Sequence, residues 1–210
     1  MTTVPHCRRI LTNKTKRIIP ITILAKTATG YLFMAMSLDG YIARADGDLD
    51  WLMKQKTESE DHGCDTFMAS VDGLIMGRGS FENVLTFDDW PYHKPVVVMS
   101  QTLNDADIPG GLRNKVELST LEPKELMQEL GRKGWQRAYA DGGKIIQSFL
   151  RAGLISDIIV THIPILIGEG LPLFGRLDRD IDLEHRETRS FPSGLAGSKY
   201  RIRQVGGQTR

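Results

Sequence analysis

The chain has 210 residues, 40% of them hydrophobic and 25% charged, with a formal net charge of +1. That length suits one ordinary domain, or one domain and a tail. Two cysteines, Cys7 and Cys64, make no disulfide framework, so a reducing compartment and a cytoplasmic protein are expected. No apolar run approaches the roughly 18 residues that span a bilayer, so no membrane association is expected.

The charge is unevenly spread. Arg8, Arg9, Lys14, Lys16, Arg17 and Lys26 all precede the first acid, Asp39. The remainder holds 21 basic against 26 acidic residues. A mildly acidic body argues against a nucleic-acid partner, which calls for a basic face. The basic head, residues 1–29, has three readings: an organellar transit segment, though Pro5 and Pro20 interrupt a helix there; an upstream extension, with the fold starting near Met34 or Met36; or a disordered tail. The folded domain is expected over residues 30–206.

Residues 31–37 (YLFMAMS) are apolar and run into Leu38-Asp39-Gly40, which reads as a buried strand and a turn. Residues 41–43 continue it briefly. Asp46-Gly47-Asp48 is a second turn, followed by a helix with Leu49, Trp51, Leu52 and Met53 on its apolar side. A helix is expected around 64–70, a strand at 73–76, a helix at 80–85, and strands at 95–100 and 116–119. Pro123 suits a helix start, and 125–132 continues with Leu126, Met127 and Leu130 on one side. A strand at 137–140 hands over to a helix at 144–154, and 158–166 is a long β-branched strand. Residues 181–189 and 199–205 alternate like an antiparallel pair. Strands alternating with helices predict an α/β domain with a largely parallel central sheet, flanking helices and a C-terminal antiparallel strand pair.

Sheets of this kind bind ligands at the carboxyl ends of their strands. Small residues and donors gather there: Ser37-Leu38-Asp39-Gly40, Gly77-Arg78-Gly79-Ser80, Ser100-Gln101, Asp141-Gly142-Gly143, Thr161-His162 and Gly168-Glu169-Gly170. Glycine lets an anion approach unpaired amides at a helix start without a Cβ in the way. Arg78 adds a fixed cation shaped for phosphate. Either motif taken alone reads first as a turn or close-packing glycine; the two together suit a ligand with two or more phosphates. The histidines form no metal set, because His62-Gly63-Cys64 offers two ligands and no second pair at zinc spacing follows. No G-x-S-x-G elbow is present.

These motifs resemble dihydrofolate reductases. Met76-Gly77-Arg78-Gly79-Ser80 resembles their Gly-Arg-x-Thr/Ser turn, the strand ending in Ser100 their next strand, the turn through Asp141, Gly142, Gly143 and Lys144 their paired-glycine turn, and Thr161-His162 their Thr-His strand. The run from Ala35 through Ser37-Leu38-Asp39-Gly40 to Ile42-Ala43 is still more similar to the reductase domain of bacterial riboflavin biosynthesis, which shares that fold. Asp50-Trp51-Leu52, Trp90-Pro91-Tyr92 and Gly168-Glu169-Gly170-Leu171-Pro172-Leu173-Phe174 also look typical of stand-alone proteins carrying that domain. The deaminase signature often fused to it is absent.

The resemblance implies a dihydrofolate reductase-like fold, an NADPH-dependent reductase of a small heterocyclic (pterin- or pyrimidine-like) or carbonyl substrate, and a homodimer. By the same resemblance, Ala35 and Ile42 flank the nicotinamide. Gly77, Arg78, Gly79 and Ser80 hold the pyrophosphate and adenosine side, and Ser100 and Gln101 sit by the 2′-phosphate. Gly142, Gly143, Lys144 and Ile145 close over the pyrophosphate, with Asp141 at the head of that turn. Gln101 stands where relatives often carry arginine. Alternatives are true dihydrofolate reductase activity and a non-catalytic nucleotide-binding protein.

Reduction of a C=N or C=O group also needs a proton. The candidates for handling it are Asp39, Asp48 and Asp50, with Thr161 as a substrate contact. Capping a helix start is the commoner fate of an acid at 48 or 50, and Asp39-Gly40 is also an ordinary turn. Trp51 and Trp90 read as core.

Overall fold

The computed structural model describes residues 26–57 and 60–203. The first strand, β1 (Thr29–Ser37), is followed by a turn at Gly40, whose φ is 90°. Strand β2 (Tyr41–Ala43) therefore does not continue β1. It pairs antiparallel with β8 (Leu171–Pro172) in a separate two-stranded sheet. The helices α1 (Asp50–Met53) and α2 (Cys64–Ser70) follow, then β3 (Gly73–Gly77), α3 (Arg78–Val84), β4 (Val96–Met99) and β5 (Val116–Ser119). The chain goes on through α4 (Pro123–Arg132), β6 (Arg137–Asp141), α5 (Gly143–Arg151) and β7 (Ile155–Ile163). It closes with the antiparallel pair β9 (Leu183–Ser190) and β10 (Ala196–Ile202).

The main sheet has eight strands in the order β5-β4-β3-β6-β1-β7-β10-β9. The six from β5 to β7 are parallel, and β10 adds antiparallel to β7. This is the α/β architecture expected from the sequence. Its central strands are apolar on both faces because helices cover both. On one face, α4 and α5 bury Leu126, Met127, Leu130, Ile146 and Phe149 against Leu32, Ile75, Ala138 and Ala140. On the other, Phe81 of α3 packs with Leu74, Met76, Val96 and Val98. Trp51 is fully buried beside Ile163 and Leu195, and Trp90 packs on the second cluster, as core residues do.

Several boundaries differ from the sequence expectation: α3 begins at Arg78 rather than at 80, and α5 ends at Arg151 rather than at 154. Strand β7 begins three residues early, at Ile155, and it ends three residues early because Pro164 has no amide to extend the ladder. Strand β10 starts at Ala196 rather than at 199, and Val205 lies outside the described residues. Of the basic head, residues 1–25 lie outside the described residues. Packing begins ahead of residue 30: the Ala28 amide donates to the Met127 carbonyl at 2.9 Å, and Gly131 admits the Lys26 carbonyl where a Cβ would collide.

Candidate active site

Strands β3 and β6 are parallel neighbours, with Met76 opposite Asp141. Their carboxyl ends therefore bring the two glycine turns side by side. A Cβ on Gly142 would strike the Ser80 hydroxyl, and its φ of 84° with ψ of 140° is backbone that glycine alone adopts readily. A Cβ on Gly143 would lie 2.8 Å from the Pro172 carbonyl and 3.3 Å from Ile42 Cδ1. Ile42 is thus drawn to the paired-glycine turn from the far side of the sequence. Gly79 faces open space, with no atom within 4 Å of where a Cβ would stand. Gly143, Lys144 and Ile145 form the first turn of α5, whose leading amides have no partner within the helix. Lys144 is exposed. The Ile145 side chain is buried in the core and lies against Gly77, so only its backbone is available to a ligand.

Arg78 reaches away from the helix axis. Its Nε donates to Glu82 at 2.7 Å and its Nη1 to the Thr102 hydroxyl at 3.0 Å. The Ser100 hydroxyl accepts from the amides of Thr102 and Leu103 at 3.2 and 3.1 Å. The Gln101 side chain turns aside and donates to the Thr120 carbonyl at 2.8 Å. Thr102, which sequence reasoning passed over, is the hydroxyl that meets the arginine. A hydroxyl just past a strand end carries no spacing signal that would have marked it.

Ala35 and Thr161 are register partners on β1 and β7, so their side chains share a face. Thr161 is buried and lines a cavity of about 440 Å³ on that face, walled by Phe33, Phe67, His62, Arg189 and Lys199. The Phe33 and Phe67 rings stack at 4.8 Å. That volume falls within the range of small-molecule sites.

The acids divide clearly. Asp39 accepts from the Ser37 hydroxyl at 2.5 Å and from the amides of Ile167 and Gly168 at 3.1 and 2.8 Å. The Ser37 bond, and then those amides, hold its carboxyl below the usual range. It ties the turn after β1 to the loop after β7. Asp50 is paired with Arg44 at 2.5 Å and Lys54 at 3.1 Å, and the Arg44 bond holds it well below the usual range. Asp48 accepts from the Asp50 amide at 2.9 Å, an Asx turn leading into α1.

Asp141 behaves oppositely. Burial raises its pKa, against smaller opposing effects from the Tyr139 hydroxyl and the Gly142 amide. The Tyr139 hydroxyl lies 2.9 Å from the Phe33 carbonyl and 3.1 Å from Asp141 Oδ1. A hydroxyl has one hydrogen and a carbonyl has none to give. When tyrosine donates to Phe33, the contact with Asp141 is a hydrogen bond only if the carboxyl carries the proton. Asp141 sits on the face that bears Phe33, Ala35 and Thr161. The sequence placed it at the cofactor turn; burial there favours its neutral form.

Among the described residues, no group of three or more His, Cys, Asp or Glu could hold a metal ion, and no helix is long and apolar enough to cross a membrane.

A mostly parallel eight-stranded sheet with two glycine turns side by side at its carboxyl end is a dihydrofolate reductase-like fold. Residues 28–196 match the RibD C-terminal domain, and the chain belongs to that family. A putative riboflavin biosynthesis protein from Shewanella sp. PV-4 is 39% identical, with a TM-score of 0.79 over 84% of this chain and 99% of that one. The diaminohydroxyphosphoribosylaminopyrimidine deaminase/5-amino-6-(5-phosphoribosylamino)uracil reductase of Thermotoga maritima shares the fold at 15% identity and a TM-score of 0.65, over 85% of this chain and 57% of that one. A dihydrofolate reductase from Enterococcus faecalis complexed with NADP(H) shares it at 15% identity and 0.55, over 84% and 97%.

Proposed function

We propose that this chain is an NADPH-dependent reductase of a small planar heterocycle, pyrimidine- or pterin-like. The observation that carries this reading is the junction of the turns at Ser80 and Gly142, with open space at Gly79 and Arg78 beside it. Family membership and the NADP(H)-bound fold relative support the choice of cofactor.

NADPH, when bound, supplies a hydride. The protein's own groups do the rest. The turns at 77–80 and 142–145 present amides and an arginine to the phosphates. Ala35 and Ile42 wall the nicotinamide side. Phe33 and Phe67 offer aromatic faces, and Thr161 a hydroxyl, to a flat ring in the cavity. Asp141 holds the proton that the reduced nitrogen or oxygen takes up; its O–H bond breaks, and the carboxylate is reprotonated from solvent. Asp39 and Asp50, held ionised, shape the surrounding loops.

The test is titration with NADPH and NADH, read by reduced-nicotinamide fluorescence, followed by NADPH oxidation with pyrimidine and pterin substrates. NADPH binding and heterocycle-dependent oxidation are expected. Binding of neither nucleotide overturns the reading.

A further inference from the structure

The surroundings of Arg78 carry an inference that rests on the proposed dinucleotide reading. The arginine stands between two acceptors. Glu82, one turn along the same helix, takes its Nε at 2.7 Å, and Thr102, on the loop after β4, takes its Nη1 at 3.0 Å. Arg78 and Glu82 are both about half exposed, at 52% and 49%. The neighbouring Gln101 side chain turns aside to donate to the Thr120 carbonyl at 2.8 Å, whereas the Thr102 hydroxyl lies against the arginine.

We propose that Glu82 sets how strongly this chain distinguishes a ribose 2′-phosphate from a 2′-hydroxyl. A guanidinium has five N–H donors, and its fork matches a phosphate. Here one arm already neutralises a carboxylate. A phosphate arriving at Arg78 and the Thr102 hydroxyl must share the cation with Glu82 and meets like charge across it. A 2′-hydroxyl nucleotide meets no such opposition. Glu82 therefore narrows the preference for the phosphorylated nucleotide, and Thr102 rather than Gln101 completes the phosphate contact.

The experiment uses two probes that lack nicotinamide: 2′-phosphoadenosine 5′-diphosphoribose and ADP-ribose. Each is titrated calorimetrically into the full chain, its Glu82→Gln variant and its Thr102→Val variant. Glu82→Gln should tighten the 2′-phosphate probe about two- to fivefold, the span of a half-exposed ion pair, and leave ADP-ribose unchanged. Thr102→Val should weaken only the 2′-phosphate probe. Equal shifts for both probes, or no shift in either variant, overturn the inference while leaving the cofactor reading standing. If the unaltered chain binds neither probe, the cofactor reading fails and takes the inference with it.

Discussion

The Tyr139 hydroxyl stands 3.1 Å from Asp141 and 2.9 Å from the Phe33 carbonyl, and its single hydrogen cannot serve both. When that hydrogen goes to Phe33, the contact with Asp141 requires a protonated carboxyl, and burial pushes the Asp141 pKa in that direction.

Asp141→Asn should lower turnover by about two to four orders of magnitude, the usual contribution of a positioned acid, with little change in nucleotide binding. The neutral carboxyl is the active form, so the rate should fall as pH rises through the raised value. Stability has the same sign. A raised folded pKa gives stability that is complete below the ordinary 3.8 and is lost as pH rises through the folded value. The variant should therefore unfold at higher denaturant than the parent near neutrality, and the two should converge in acid. Urea melts at several pH values check this.

Asp39→Asn should keep turnover, which separates the two aspartates. Its lowered pKa gives stability that is present above 3.8 and is lost as pH falls through the folded value. In the parent, protection of the Ile167 and Gly168 amides relative to their intrinsic exchange should fall in acid. In the variant it should already be low at neutral pH, while the core strands stay protected.

Gly142→Ala should cost about 1–3 kcal/mol, the range for backbone that only glycine adopts easily. Part of the loss should come from the Ser80 hydroxyl, so adding Ser80→Ala should recover some stability and not all. A double variant no more stable than Gly142→Ala alone would remove Ser80 as a cause. Denaturant midpoints measure both.

Arg78→Ala should weaken NADPH about tenfold or more, in line with loss of a charge-assisted hydrogen bond, and should weaken NADH far less. Equal weakening would remove the arginine from the 2′-phosphate. Fluorescence titration of both nucleotides decides it.

Much of this protein was legible in the chain itself. Apolar runs such as those of β3 and β4, alternating with one-sided helices such as α4 and α5, specify a parallel sheet covered on both faces, because local periodicity reports which faces are buried. The glycine turns were visible because only glycine suits backbone like that at Gly142. Other features depended on three-dimensional proximity. Strand order put Ser80 against Gly142, and Ile42 against Gly143, although the residues of each pair are far apart in sequence. Among the acids, an aspartate's spelling carries no record of its partners. Asp39 and Asp50 are held ionised by donors and cations, while the pKa of Asp141 is raised by burial. Sequence fixes which groups exist and which elements carry them; the desolvation and hydrogen-bond partners that decide their chemistry arise only when the strands are laid side by side.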